Sequence, residues 1–338
     1  LLKGVKMEVN GSRGRFERKL QGEIHKKKKR QRKRAILAIR ILIVITVFVG
    51  VKFIPKRENQ NLQIENNGTS DSEQSNNTEE TENKEEIETP KLDNSGYTSF
   101  EEDPNADDAA VVAANTKGLL NRTKTYPVRT DGKKVVYLTF DDGPSPTNTP
   151  GVLDVLDKYN VKATFFVVGT SIAANDQAKA LLKKEVARGH AIGNHTYSHN
   201  YSYLYPNRVM NVNNIVSDLQ KNENAMKEVL GKDFTTRVIR LPGGYWSWDG
   251  RTAMKEAMEQ DGYYNVDWNA LDKDAEGPKK NADQLVQCTK ESVEALGPNA
   301  DSVVLLMHDT YGKEETVKAL PRIIEYLQSQ GYEFRTIK

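Results

Sequence analysis

Cysteine is almost absent. Cys288 is the one thiol in 338 residues, so the chain can form no internal disulfide and no metal site built from several thiolates. Any metal site must use carboxylates and histidines, and histidine is scarce as well, five in all. Net charge is also missing: 49 Lys and Arg against 47 Asp and Glu leave a formal +2. That small sum hides a segregation. Residues 1–34 carry fourteen basic and three acidic side chains, residues 55–104 carry four basic and fourteen acidic, and the remainder is near neutral. Phosphate binding shows as clustered basic charge, so a near-neutral remainder argues against nucleic acid as its partner.

Long apolar runs are absent too, with one exception. The basic block KKKKRQRKR, Lys26–Arg34, is followed at once by AILAIRILIVITVFVGVKFI, Ala35–Ile54. These twenty residues match a helix crossing a hydrocarbon core of about 30 Å. Arg40 and Lys52 lie near its two ends, where long side chains reach the headgroups. The positive-inside rule predicts a cytoplasmic N-terminal tail, residues 1–34, and places everything after Ile54 outside the cytoplasmic membrane. The competing reading is a cleaved signal peptide, because Ile41–Val51 has the length of an h-region; the residues that follow lack a small-x-small cleavage site. Either reading exports the rest of the chain. Residues 55–104, rich in Asn, Glu, Ser and Thr, have the composition of a disordered linker, read here as an acidic tether.

Residues 105–338 alternate strand and helix. Strand-like stretches over 135–140, 163–168, 190–193, 237–241, 263–268, 302–307 and 332–335 are separated by helical patterns near 150–159, 176–188, 208–230, 250–260, 282–295 and 315–330. Residues 126–129 and 134–140 flank Thr130-Asp131-Gly132-Lys133, which predicts a hairpin. Apolar strands alternating with amphipathic helices imply an α/β fold, a parallel sheet covered by helices, and six or seven units suggest a barrel closed or nearly so. In such barrels the site lies at the C-terminal ends of the strands. The polar residues there are Asp141 and Asp142, His195 and His199, Arg240, Asp267 with Trp268, and His308 with Asp309.

Spacing suggests a metal. Neighbours on a strand point to opposite faces, so Asp141 and Asp142 share a site only where the strand ends, and Gly143-Pro144 ends it there. His195 and His199 are four apart in HTYSH, which puts both imidazoles on one side of a helical turn. Two histidines and one carboxylate suit Zn²⁺ or a similar divalent ion, with Co²⁺ and Mn²⁺ as alternatives, and leave a position open for water.

Together these residues carry a family resemblance. TFDDGPS (139–145), HTYSH (195–199), RLPGG (240–244), Asp267-Trp268 and Leu306-Met-His308 resemble, in order, the five motifs of the polysaccharide deacetylases, the NodB-homology group or carbohydrate esterase family four. With its apolar segment and tether the chain is most similar to membrane-anchored peptidoglycan N-acetylglucosamine deacetylases of Gram-positive bacteria. The resemblance implies a distorted (β/α) barrel of about seven strands over 105–338. It implies a metal held by Asp142, His195 and His199, Asp141 as general base and His308 as general acid. Asp267 would pair with that histidine and keep it protonated, and Arg240 would orient the base. Trp268, Gly243, Tyr245 and Leu306 would line the substrate groove. The family often has an aromatic residue where this chain has Gly243, whose N–H would help bind the oxyanion; Tyr245, Trp246 and Trp248 are candidates to replace that wall. Asp272, Asp274 and Glu276 read as a solvated loop, and Asp309 as structural. The expected partners are a cell-wall glycan and the cytoplasmic membrane, with no obligate protein partner evident. Two other functions compete: an esterase removing O-acetyl groups from xylan-type chains, and a wall-binding protein that has kept its metal and lost turnover. The membrane segment favours the N-deacetylase.

Overall fold

The structure, a computed structural model, describes residues 97–338. The basic tail, the apolar segment and the tether up to residue 96 lie outside the described residues. Among the described residues no helix is long and apolar enough to cross a membrane.

A short parallel pair, β1 (Ala106–Asp107) with β10 (Thr336–Ile337), forms a small sheet of its own, and the centre of the fold is β2 (Val135–Asp141), in which every residue is buried. Burial on both faces is what a central parallel strand requires, and it explains why VVYLTFD shows no polar–apolar alternation. On one side β2 pairs in parallel with β8 (Ser302–His308) from Val135↔Ser302 to Asp141↔His308; on the other it pairs with β3 (Thr164–Val167). The sheet continues through β4 (Ala191–Asn194), β5 (Val238–Ile239) and β6 (Tyr264–Asn265), and beyond β8 to β7 (Ala270–Leu271). A further strand, β9 (Glu333–Phe334), pairs with the start of β2. The register brings the ends of β2 and β8 level, so Asp141 and His308 are side-by-side neighbours at the top of the sheet.

The expected α/β alternation is present. Its helices include α1 (Ala109–Leu120), α2 (Thr149–Lys158), α3 (Gly169–Ile172), α4 (Asp176–Ala187), α5 (Tyr201–Leu204), α6 (Val212–Leu230), α7 (Arg251–Gln260), α8 (Ala282–Glu294) and α9 (Glu314–Ser329). Asn175, Asn211 and Asn281 cap α4, α6 and α8 by accepting from backbone N–H groups of their first turns. α1, which the alternation pattern does not single out, is capped by Asp108 and packs against β6 and β8.

The expected strand over 263–268 is divided into β6 and β7, and two further expectations are corrected. Only four residues, 266–269, join β6 to β7, too few for a parallel crossover, which needs a dozen or more. One stretch, residues 264–271, therefore lies along β5 with its first part and along β8 with its last. The hairpin does not form: among the described residues 126–129 pair with no strand, and Val128 and Arg129 instead donate their N–H groups to the Asp301 carboxylate. Residues 97–104, assigned to the tether, are folded. The Tyr97 ring packs edge-on to Phe234 with centroids 5.3 Å apart, and its hydroxyl accepts from the Ile192 N–H at 3.2 Å. The Lys338 ammonium reaches the Thr98 carbonyl at 2.7 Å and the Asp103 carboxylate at 2.8 Å. Two aromatic side chains, Tyr97 and Phe100, in a polar stretch are a weak signal, and their partners lie far away in sequence.

Candidate active site and metal centre

β2 ends at Asp141, and Asp142 takes a positive φ of 72°, which lets both neighbouring carboxylates turn into one cleft. Asp141 is almost fully buried, and its Oδ1 accepts from Arg240 Nη1 at 2.7 Å. Arg240 is wholly buried after β5, with Nε donating to the Val266 carbonyl, Nη1 also donating to Thr139, and the guanidinium 4.0 Å from the Phe166 ring centre. A guanidinium clamped at so many points fixes the Asp141 carboxylate in one orientation.

His195 and His199 do converge, though not on a helix. They lie in the loop after β4, where Thr196 and His199 have φ of 66° and 47°; backbone strain of this kind concentrates at functional sites. Asp142 Oδ1 lies 3.4 Å from His195 Nε2 and 3.2 Å from His199 Nε2. The three ligand atoms are all within 4.8 Å of one another, and Asp142 Oδ1 is buried without a hydrogen-bond partner. His195 Nδ1 sits 2.7 Å from the Arg240 carbonyl, so it carries the proton there and leaves the Nε2 lone pair free. An orphaned carboxylate oxygen facing two imidazole nitrogens, one fixed in tautomer from behind, fits a divalent cation such as zinc.

His308, at the end of β8, is held by a different residue from the one expected. Its Nδ1 lies 2.7 Å from Asp274 Oδ1, and its backbone N–H donates to Asp274 Oδ2 at 3.0 Å. Although burial works against the imidazolium, Asp274, with help from Asp141 and Asp142, raises His308 to about 9. Asp274 is itself held by the Thr316 hydroxyl and lies 3.8 Å from the Lys313 ammonium. Asp267 does not reach His308: its Oδ1 accepts from the Tyr245 N–H and Asn265 Nδ2. Strand alternation gives the reason. In residues 264–271, Val266 joins the barrel interior and Trp268 lines the cleft, so Asn265 and Asp267 turn away from it. The strand ends not at Asp267 but after β7, and the residues that follow, Asp272 and Asp274, are buried rather than solvated. The apolar pair Ala270–Leu271 just before them was the available signal. Burial, with Asp274 beside it, pushes the Asp272 carboxyl well up. Asp309 is structural, as expected: it is buried and accepts from the Thr149 hydroxyl.

The cleft is a cavity of about 320 Å³, walled by Trp268, Leu306, Leu271, Tyr201 and Gly243. Gly243 has φ of 76°, and a Cβ there would press on Trp248 and the Tyr201 hydroxyl at 3.0 and 3.2 Å. That crowding explains glycine at this position. Trp248 is stacked on Tyr205 at 4.1 Å and edge-on to Tyr201 at 5.3 Å, so it supports the wall from behind. Tyr245 does not line the cleft. Its N–H goes to Asp267 and its hydroxyl to the Arg251 carbonyl, and its ring faces another hollow together with Trp246.

A base clamped by an arginine, a three-ligand cation site and an imidazolium in one cleft can carry out hydrolysis in which a carbonyl is attacked and a leaving group protonated. The sequence profile of the family described as polysaccharide deacetylase matches residues 128–265. A peptidoglycan-N-acetylglucosamine deacetylase of Bacillus cereus is 33% identical over 208 residues, covering 61% of this chain and 88% of that protein. A bifunctional xylanase/deacetylase of Pseudobutyrivibrio xylanivorans is 32% identical over 230 residues, 68% of this chain; the match spans only 34% of that protein. Among solved structures, a CE4 esterase of Streptococcus mutans superposes with a TM-score of 0.61 at 38% identity, over 69% of this chain and 92% of that one.

Proposed function

The chain belongs to the polysaccharide deacetylases, and from that premise we propose that it removes acetyl groups from N-acetylated cell-wall glycan, peptidoglycan N-acetylglucosamine above all, as a metal-dependent hydrolase. The observation that carries the reading is the convergence of Asp141, Asp142, His195, His199 and the imidazolium of His308 on one cleft, with Asp142 beside both His195 and His199. Asp142, His195 and His199 would hold the metal. When bound it supplies an electrophile that makes water more acidic and polarises the acetyl carbonyl. Asp141, oriented by Arg240, takes a proton from the attacking water. His308, kept protonated by Asp274, gives a proton to the departing amine nitrogen, which makes it a viable leaving group. The N–H of Gly243, in the cleft wall, would serve a developing oxyanion.

The metal is zinc on this reading, since two imidazoles and one carboxylate suit it best. The run Ala35–Ile54 anchors the enzyme in the cytoplasmic membrane with its catalytic domain outside, and the acidic stretch provides reach into the wall. The match to a bifunctional xylanase/deacetylase favours acetylxylan as the second substrate to try. The test is acetate release by the full chain with Zn²⁺ from peptidoglycan, N-acetylglucosamine oligomers and acetylxylan, beside Asp141→Asn. Release from an N-acetyl substrate that vanishes in the variant is the expected result. Release from acetylxylan alone would replace the proposal with the esterase, and metal binding without any release would leave a wall-binding protein.

A further inference from the structure

A second hollow shares two walls with the catalytic cleft. It is a cavity of about 300 Å³ between α1, α7 and the outer side of residues 262–267, at the lower end of the range of small-ligand sites, roughly 300–1,000 Å³. The pair Asp267–Trp268 gives one side chain to each hollow, Trp268 to the cleft and Asp267 to this one. The turn after β5 divides in the same way, with Gly243 in the cleft and Tyr245 and Trp246 here.

The lining has a mixed chemistry. Trp246 is 41% exposed and stands at 90° to the Tyr245 ring, with centroids 5.4 Å apart. An exposed indole held in one orientation is a platform for the apolar face of a sugar ring. Deeper in lies Asp267, only 7% exposed. Its Oδ1 is engaged by Tyr245 and Asn265, while its Oδ2 has no hydrogen-bond partner among the described residues. A carboxyl at the base of the hollow with one oxygen open to it offers an acceptor to a hydroxyl donor and excludes a purely apolar occupant. On the opposite wall α1 presents Ala110, Ala113 and Ala114, which keep the hollow open at a face where larger side chains would fill it.

We propose that this hollow is a remote glycan subsite, holding a further sugar unit of the N-acetylated chain whose acetamide lies in the catalytic cleft. The proposal rests on the function given above. A polymer crossing the Gly243–Trp246 turn occupies both hollows: its ring stacks on Trp246 and its hydroxyls pair with Asp267. The enzyme then prefers long chains over short ones, because only long chains gain the second contact.

Two arms test this in the full, zinc-loaded chain. In the first, N-acetylglucosamine hexamer and dimer are titrated by calorimetry into Asp141→Asn, alone and combined with Trp246→Ala or Ala114→Arg, the second of which fills the hollow and leaves the indole intact. Hexamer affinity should fall about tenfold in both combinations, the usual cost of losing one aromatic anchor. In the second arm, the ratio of kcat/KM for hexamer to that for dimer should fall by a similar factor in Trp246→Ala and Ala114→Arg. Wild-type affinity and an unchanged ratio in variants with native melting temperature would overturn the subsite and leave the deacetylase reading intact. If the wild-type chain releases no acetate from either oligomer, the deacetylase reading fails, and the calorimetry still decides the subsite: hexamer binding weakened by both substitutions supports it, and no hexamer binding rejects it.

Discussion

His308 keeps its proton to about 9 because Asp274 bonds to both its ring and its backbone, and under the proposed mechanism that contact would give the cleft an acid that works at neutral pH. A general acid is active only while protonated, so kcat/KM should decline on the basic side as pH passes His308. In Asp274→Asn the imidazolium loses its counter-charge, and the decline should move toward the ordinary histidine range, near 6.5. At about pH 8 the rate should drop about 30-fold, because the protonated fraction falls from about 0.9 to about 0.03. Asp267→Asn should leave that limb where it is, since Asp267 bonds to Tyr245 and Asn265 instead. A pH–rate profile of the two variants separates these assignments, and a shifted limb in Asp267→Asn would reverse them. Asp142, His195 and His199 were legible in the sequence because strand ends and close spacing bring such residues together in many backbones. Asp274 was not, because its role depends on where residues 264–271 leave the sheet.

α4 places Glu185 at full burial, with neither carboxylate oxygen hydrogen-bonded. Burial, reinforced by Asp309, pushes its carboxyl well above the usual range. The folded chain therefore keeps this proton at pH values where the unfolded chain has released it. Stability is lost as pH rises through the unfolded carboxyl range, near 4.3. Glu185→Gln removes the penalty and keeps the shape. Its melting temperature should exceed that of the wild type at about pH 8, with the gap closing toward about pH 4. A gap that is constant with pH would mean that Glu185 is ionised in the fold. At this same scale the long helices follow from apolar spacing and asparagine caps, and α9 begins and ends within one residue of its expected limits. The two-residue strands β5 and β6 are shorter than the strand-like stretches 237–241 and 263–268 that contain them, since pairing there is limited by the neighbouring strand rather than by propensity.

Across the whole molecule, a metal held by Asp142, His195 and His199 would couple site and stability. A ligand that binds only the folded chain stabilises it by about 2.7 kcal/mol at a hundredfold excess over Kd. Chelation should thus abolish acetate release and lower the melting temperature, and added Zn²⁺ should restore both. Activity that survives complete chelation, checked by elemental analysis, would remove the metal from the mechanism. The anchored topology predicts that the full chain sediments with membranes and that protease added to intact protoplasts cleaves the catalytic domain. Recovery in the soluble fraction would instead indicate cleavage of the apolar segment. The sequence by itself determined the class of fold, the order of the motifs, the ligand types and the charge segregation, because hydrophobic period, residue chemistry and composition are local properties of the chain. Only the tertiary structure decided that Asp274 rather than Asp267 holds the acid, that Tyr245 faces away from the cleft and that residues 97–104 belong to the fold. Each of these depends on which side of a strand a residue falls and on partners distant in the chain, and neither is written in local spacing.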